Sequence, residues 1–585
     1  MRNQIFNIQN SIRKSGPRIK KWDWWILLIL AGGLAFRLVL AHGCRFAISF
    51  DEAHYLRLAA RFREAGFSGL FHPYWPPFFS LAIAIANWFI PSLETAGRIV
   101  NMFSGVLMIW LVYRMARELF GPWEARISAC FIAFHPPLAF GSTNVMPESL
   151  FSLTVILGIF IGWKSLQKKR WTLGFVSGIL WGAAYLIKPE GVGFLLVFLG
   201  ILLVFMFIRG FKKAFPAVPL SGLAALIGFI LISASYLAYL HDSVGRWTLS
   251  TKGMVDQQMS AAVYFKDEAN PDPFFHLTKD NRHLPYDMAW HFGTLRELST
   301  LEGGRQRIVD IPLADYAKKY VKNFYHLTKT SIPQLFGLAL FALFVSGFFG
   351  HVLKDKNRLG YVFYLFAYIV FFWFLVIPMF HINERYLIPL FPVCFLWFGK
   401  GADVLYHWLI RAWKTGFQRR SQSTDRIVFF PFVFLLGVLL VFEFFPELAR
   451  LAGIRHDNPD RWADPVELKQ AGLWLRGHTD HPAILMSPNK AVDFYAGQYD
   501  IRKGASFSYD SVERNVAYSR HQGVEYLVCS SRYLFWFPVM SQLIDGRNIP
   551  PGLSLIYKSD QPAGIKTAIY RLAPDPSLKN EREIR

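Results

Sequence analysis

Trp24-Trp25-Ile26-Leu27-Leu28-Ile29-Leu30-Ala31-Gly32-Gly33-Leu34-Ala35-Phe36 opens an apolar run that continues to His42, and Ser49-Phe50-Asp51-Glu52-Ala53-His54-Tyr55 follows a few residues later. The run is long enough to cross a bilayer as one helix, which takes ~20 residues. The second stretch then lies at a membrane surface. A carboxylate pair held there is costly unless it binds or reacts with something.

The rest of the chain repeats the first half of that pattern. Its 585 residues are 53% hydrophobic and 17% aromatic, with a mean hydropathy of +0.26. Long apolar runs alternate with short charged loops, which predicts a mainly α, polytopic membrane protein. The spacing predicts about eleven spans, near 24–42, 98–113, 127–141, 149–163, 171–187, 192–208, 218–240, 334–350, 361–379, 386–402 and 427–445. The basic N-terminal segment lacks a small-residue cleavage site, so the first run reads as a retained anchor.

Charge sets the orientation. The net charge is +22, dispersed between apolar spans rather than massed on one face, so it reads as loop charge and not as a nucleic-acid surface. Lys164, Lys168, Lys169 and Arg170 form one cluster; Arg114, Arg117 and Arg126 form another. Both face the cytoplasm, with the N-terminus, if the apolar segment 78–90 does not span. That segment is therefore read as an interfacial or re-entrant helix within the first outer loop, 43–97. The short outer loops 142–148, 188–191 and 380–385 then carry almost no basic residues.

Two larger outer pieces remain. Loop 241–333 has nearly balanced charge and an amphipathic stretch from Tyr316 to Tyr325. The tail 446–585 is polar. It holds strand-like runs at Ala483–Met486 and Val524–Cys529 and a helix-like segment from Pro465 to Arg476, and is read as a small extracytoplasmic α/β domain behind a transmembrane domain of residues 1–445. Cys44, Cys130, Cys394 and Cys529 have no metal-binding spacing.

Four outer segments share one membrane face: Asp51-Glu52-Ala53-His54-Tyr55, Met146-Pro147-Glu148, Lys188-Pro189-Glu190-Gly191 and His381-Ile382-Asn383-Glu384-Arg385-Tyr386. Each has a plainer explanation. Asp51 is a common N-cap type, and Pro147-Glu148 is a good helix start. Lys188 and Arg385 are able to snorkel to headgroups, and Glu384 and Arg385 to pair locally. Their joint occurrence on one face favours chemistry. Asp51, His54 and Tyr55 share a face if helical. Asp51, Glu52 and His54 are also a potential divalent-metal set, though the spacing does not specify one; no cofactor is otherwise required. His72-Pro73-Tyr74-Trp75-Pro76-Pro77 reads as a stiff connector into the interfacial helix.

The order of these motifs, with Tyr113-Arg114-Met115-Ala116-Arg117-Glu118-Leu119-Phe120-Gly121 and Glu384-Arg385-Tyr386-Leu387-Ile388-Pro389-Leu390-Phe391-Pro392, resembles the GT-C superfamily of integral membrane glycosyltransferases. The resemblance is to its aminoarabinose-transferase and protein O-mannosyltransferase-like group, and covers roughly residues 20–400. It implies a polyprenyl-phosphate sugar donor and inverting transfer on the non-cytoplasmic face. The acceptor would be a glycolipid such as lipopolysaccharide, a polysaccharide or a protein, and the setting a bacterial inner membrane. By resemblance Asp51 is the catalytic acid-base residue with Glu52 beside it. Lys188, Arg385 and Tyr386 lie near the donor phosphate, and His54, Tyr55, Pro76, Pro77, Glu148, Glu190 and Glu384 complete the outer-face set. Two positions depart from the pattern: Trp75 stands where many relatives have Lys, and Glu148 where Asp is more usual. A polymerase or ligase of lipid-linked polysaccharide, a transporter and a plain membrane scaffold are the competing classes. Acids at span ends rather than mid-span weigh against the transporter.

Overall fold

A computed structural model describes residues 23–44, 46–207, 218–252, 313–350, 356–379, 384–416, parts of 431–445, 464–561 and 564–574. Most of loop 241–333, the segment His381–Asn383 and much of the expected span 427–445 lie outside the described residues.

Six described helices are long and apolar enough to cross a bilayer: Trp24–Gly43, Leu93–Leu119, Glu148–Lys168, Pro219–Val244, Leu313–Phe349 and Arg358–Met379. Two shorter apolar helices, Trp171–Ile187 and Gly191–Phe207, pack among them. The chain is an integral membrane protein. Several expected boundaries move. The span expected at 127–141 is a helix Pro122–Phe134, a break at His135, and a short helix Pro136–Gly141. Pro136 pushes the residue before it out of the helical region, and His135 sits at ψ 115. The span expected at 386–402 begins later and runs longer, as Phe391–Gly416.

We label the elements that position the site α1 (Trp24–Cys44), α2 (Phe50–Ala65), α3 (Phe78–Ala86), α4 (Leu93–Leu119), α5 (Glu148–Lys168), α6 (Trp171–Ile187) and α7 (Val218–Val244). Helix α3 has nine residues and so rises about 13 Å, well short of a ~30 Å hydrocarbon core. It buries Phe79 and Ile83. Helices α6 and α7 approach closely: a Cβ on Gly178 would lie 1.9 Å from the carbonyl oxygen of Ala225. Close backbone approach through small residues is how helices associate where lipid offers no hydrophobic drive.

The amphipathic stretch expected at 316–325 is the helix Leu313–His326. A wide turn, Leu327–Ser331, joins it to the apolar helix Ile332–Phe349.

Residues 464–574 carry a four-stranded sheet in the order β1-β2-β4-β3: β1 Leu485–Met486, β2 Tyr526–Ser530, β3 Leu553–Asp560 and β4 Lys566–Leu572. Strands β1 and β2 pair in parallel, and β4 is antiparallel to both β2 and β3. Helices α8 (Val466–His478), α9 (Ala491–Tyr495) and α10 (Val512–His521) accompany the sheet. Leu468, Leu475, Phe507, Val516, Leu527, Ile569 and neighbours form its own apolar core.

Candidate active site at the helix ends

Helix α2 starts a few residues after the first span because Ser49 and Glu52 cap it. Ser49, in extended conformation, is the N-cap, and Glu52 reaches back to accept the Ser49 amide at 2.5 Å, the acidic half of a capping box. Asp51, freed from the capping role its residue type suggested, stands in the first helical turn. Its Oδ2 lies 3.5 Å from a terminal nitrogen of Arg385. The two residues are 334 positions apart and both about one-third exposed.

Arg385 lies over the Tyr386 ring, 5.6 Å from its centre. Lys188 follows the last turn of α6 and is buried. Its Nζ is 3.6 Å from Glu148 Oε1 and 4.0 Å from Glu190 Oε1, and 5.6 Å from the ring centres of both Phe151 and Tyr386. Burial alone would weaken its hold on a proton, but Glu190 and Glu148 outweigh burial and raise the pKa above an ordinary lysine's. Arg385 behaves alike: burial opposes its charge, and Glu148 and Asp51 more than offset that. The neighbouring carboxylates thus favour the charged form of both groups.

Glu148 opens α5 and is 7% exposed. One oxygen faces Lys188; the other, Oε2, is buried and accepts no hydrogen bond from the described residues. Charges from Lys188, Arg385 and Lys252 all face this carboxylate. Such an orphaned acceptor costs ~1–3 kcal/mol unless a ligand group fills it. Tyr55 packs edge-on against Phe79 at 5.1 Å. Burial, and then the Asp51 charge, push its hydroxyl well above the ordinary value, so it remains a donor.

The sequence-predicted set thus separates into two layers. Asp51, Tyr55, Glu148, Lys188, Glu190, Arg385 and Tyr386 converge. Glu52 does not join them. It is 5% exposed, and its two oxygens take the amides of Ser49 and, at 2.6 Å, Val145. It ties the start of α2 to the loop that leads into α5, and its oxygens are turned to these amides rather than to Lys188 and Arg385. Replacing Glu52 with Ala should cost roughly 1–3 kcal/mol, since the buried amide of Val145 and the part-buried amide of Ser49 lose their acceptor; thermal unfolding in detergent measures it, and an unchanged midpoint would refute the clamp.

His54 is fully buried against Trp75, ring centres 4.7 Å apart. With Glu52 turned to backbone amides, the Asp51, Glu52 and His54 set does not gather: among the described residues no group of three or more His, Cys, Asp or Glu is placed to hold a metal. Pro76 and Pro77 are buried and lead into α3. They shape the connector rather than line the site. Trp75, 4% exposed, packs there against Tyr55 and His72 as well. The backbone of Glu384 belongs to the short turn that presents Arg385; its side chain lies outside the described residues.

His72 Nδ1 accepts the amides of Tyr74 and Trp75, and its carbonyl accepts the Tyr236 hydroxyl of α7. Burial, reinforced by Arg61 and Arg57, lowers its pKa to about 3. Burial likewise lowers that of His54, with Arg57 and Lys490 adding to the effect. An unfolded chain protonates both imidazoles below about 6.5, whereas the folded chain does not until far lower pH. Between those limits the unfolded state binds more protons, so stability falls as pH drops. Unfolding midpoints should be lower at about pH 5 than at about pH 7.5, and His72→Asn, whose Oδ1 replaces the acceptor, should flatten that slope.

Three supports were missed in the sequence. Asn101 donates to the carbonyls of Asn144 and Met146, fixing the loop before Glu148. Ser152 on α5 donates to Pro389 O at 3.0 Å, which ties the Arg385 segment to the helix of Glu148. Lys252 sits over Tyr74 at 5.3 Å while its neighbour Thr251 donates to Pro73 O at 2.6 Å. An Asn in an apolar helix was the one readable clue, since a buried amide needs partners.

The arrangement presents a one-third-exposed carboxylate, two cations and a buried carboxylate with one oxygen that has no partner among the described residues, gathered at helix ends and a short turn. A family model described as dolichyl-phosphate-mannose-protein mannosyltransferase matches residues 72–236. No curated protein sequence matches the chain. Among solved structures, ArnT from Cupriavidus metallidurans in the apo state is similar at 12% identity, over 93% of this chain and 97% of that one, with a TM-score of 0.54. The oligosaccharyltransferase AglB from Archaeoglobus fulgidus, in complex with an inhibitory peptide and a dolichol-phosphate, is similar at 13% identity, over 93% and 74%, with a TM-score of 0.52.

Proposed function

We propose that this chain, whose fold is that of the GT-C integral membrane glycosyltransferases, moves a single sugar from a polyprenyl-phosphate donor to an acceptor at the outer face of the membrane. One observation carries the reading: four segments far apart in sequence bring Asp51, Glu148, Lys188 and Arg385 to one set of helix ends. The dolichol-phosphate in the AglB complex is a ligand of the chemistry that these cations would recognise.

In this mechanism Lys188 and Arg385 hold the donor phosphate, and Tyr386 backs both cations. Asp51 accepts the proton of the acceptor nucleophile as its lone pair attacks the anomeric carbon. The new bond forms as the bond from that carbon to the phosphate oxygen breaks. The bonding pair leaves on polyprenyl phosphate, where the two cations stabilise it. A phosphate is a good leaving group, so no strong acid is needed. Attack opposite the leaving group inverts the anomeric centre. Glu148 Oε2 takes a hydroxyl or amine of the sugar. The acceptor class is a glycolipid such as lipopolysaccharide, a polysaccharide or a protein, and the setting is a bacterial inner membrane with the C-terminal unit outside.

The test uses the purified full-length protein in lipid nanodiscs, with a panel of radiolabelled polyprenyl-phosphate sugars and cell-envelope extract as acceptor. Label should move to the extract, with polyprenyl phosphate released in equal amount. An inert protein across the panel that instead extends glycans on diphosphate lipids would replace this reading with the polymerase one.

A further inference from the structure

Residues 46–49, which lead into α2, are neither helix nor strand, yet their backbone amides are taken up one after another. Asp464 Oδ2 accepts the amides of Phe46 at 2.7 Å and Ala47 at 3.2 Å. The Tyr495 hydroxyl accepts the amide of Ile48 at 3.0 Å. Glu52 accepts that of Ser49. Two of these three acceptors belong to the C-terminal unit, 418 and 447 positions from the amides they hold. Asp51 is the second residue after this row.

The same unit grips the segment from other directions. Lys469, on α8, donates to Phe46 O at 2.8 Å and lies 3.4 Å from Glu94. Tyr495, on α9, donates its hydroxyl hydrogen to Glu94 Oε2 at 3.0 Å, and Glu94 in turn pairs with Arg98 at 2.7 Å on α4. Further along α2, Arg57 is fully buried and donates to Asp500 O at 2.6 Å and Lys503 O at 3.3 Å. One turn on, Arg61 lies 3.4 Å from the Asp500 carboxylate. Helix α2 is therefore held at its start and along its length by residues 464–503, while Asp51 itself faces Arg385.

We infer that the C-terminal unit positions the Asp51 carboxylate: Asp464 and Tyr495 fix the chain that leads into α2, and so set where Asp51 stands relative to Arg385 and Lys188. The inference rests on the reading of Asp51 as the base. A general base works only within hydrogen-bond reach of the proton it takes, and an error of ~1 Å in such a position can cost ~100-fold in rate. A short, aperiodic segment cannot supply that precision by itself, since it has no ladder of repeating hydrogen bonds. Asp464 and Tyr495 are positioning residues, because neither touches the reacting atoms.

The test compares full-length Tyr495→Phe, Asp464→Ala and Asp464→Asn with wild type in nanodiscs. Tyr495→Phe removes the acceptor of the Ile48 amide and should lower kcat ~10-fold or more. The donor KM and the binding of sugar-free polyprenyl phosphate should be unchanged. Hydrogen exchange at amides 46–49 should quicken in step. Asp464→Ala should behave alike, and Asp464→Asn, which keeps one acceptor oxygen, should retain most activity. If Tyr495→Phe fails to fold, Asp464→Ala and Lys469→Gln make the same comparison. Wild-type kcat in both Tyr495→Phe and Asp464→Ala overturns the inference, as does a lowered kcat with unchanged exchange, or a raised KM at constant kcat. A wild type inert on every donor, with exchange at 46–49 still quickened in Tyr495→Phe, removes the transferase reading and the catalytic part of this inference together.

Discussion

Asp51→Asn should lower sugar transfer by ~10²–10⁴-fold, the usual span for loss of a general base, and leave the protein folded. The asparagine amide has nearly the carboxylate's shape but does not take a proton at neutral pH. The structural cost is small. The Asp51–Arg385 pair is about one-third exposed on both sides, and such pairs contribute ~0–1 kcal/mol. Ser49 and Glu52 perform the capping, so α2 keeps its start. The measurement is initial rate with the preferred donor, beside the unfolding midpoint and binding of sugar-free polyprenyl phosphate. Equal rates in wild type and variant would remove Asp51 from the mechanism. A lost rate with a collapsed midpoint would move it from chemistry to folding.

Lys188→Gln should be destabilising and inactive together, and the two effects are separable. Lys188 and Glu148 are both buried, with side chains 7% and 10% exposed. Removing one partner of a buried pair strands the other charge and costs ~3–5 kcal/mol. The double variant Lys188→Gln, Glu148→Gln strands neither member of the buried pair, leaves Arg385 its Asp51 partner and deprives only the more exposed Glu190 of its cation, so it should regain most of the lost midpoint. It should not regain transfer, because the donor phosphate still lacks its cation and the sugar its carboxylate. Donor KM should rise in both variants. A double variant that restored activity as well as stability would show that the pair serves the fold alone.

Much of this protein is readable in its sequence, because bilayers impose long periods. Apolar runs placed α1, α5 and α6, and loop charge kept 78–90 from being read as a span; the structure makes it a nine-residue helix. The candidate site was readable as a list of residues but not as a geometry. Asp51 and Arg385 lie 334 positions apart, and nothing local to either specifies the pairing. Glu52 and Asp51 differ for a physical reason: adjacent carboxylates look equivalent in sequence, yet successive residues on a helix point about 100° apart. Asp51 faced the cations, whereas Glu52 faced the backbone of residues 49 and 145. The grip of Asp464 and Tyr495 on residues 46–48 left no trace, since a hydrogen bond to a backbone amide places no demand on the residue type that carries it.

Glu148 is the first residue of its helix, Lys188 follows the last turn of another, and Asp51 sits in the first turn of a third. The proposed reaction places a centre built from helix ends at the depth where a lipid's headgroup already rests. In the proposed reaction the donor need not be drawn out of the bilayer or carried to mid-membrane; it arrives by sliding sideways, already at the right height. Its supply is then set by its mole fraction among the surrounding lipids, not by its amount per litre. Diluting it with inert lipid at constant total donor slows turnover, and the quantity that saturates the protein is a surface density.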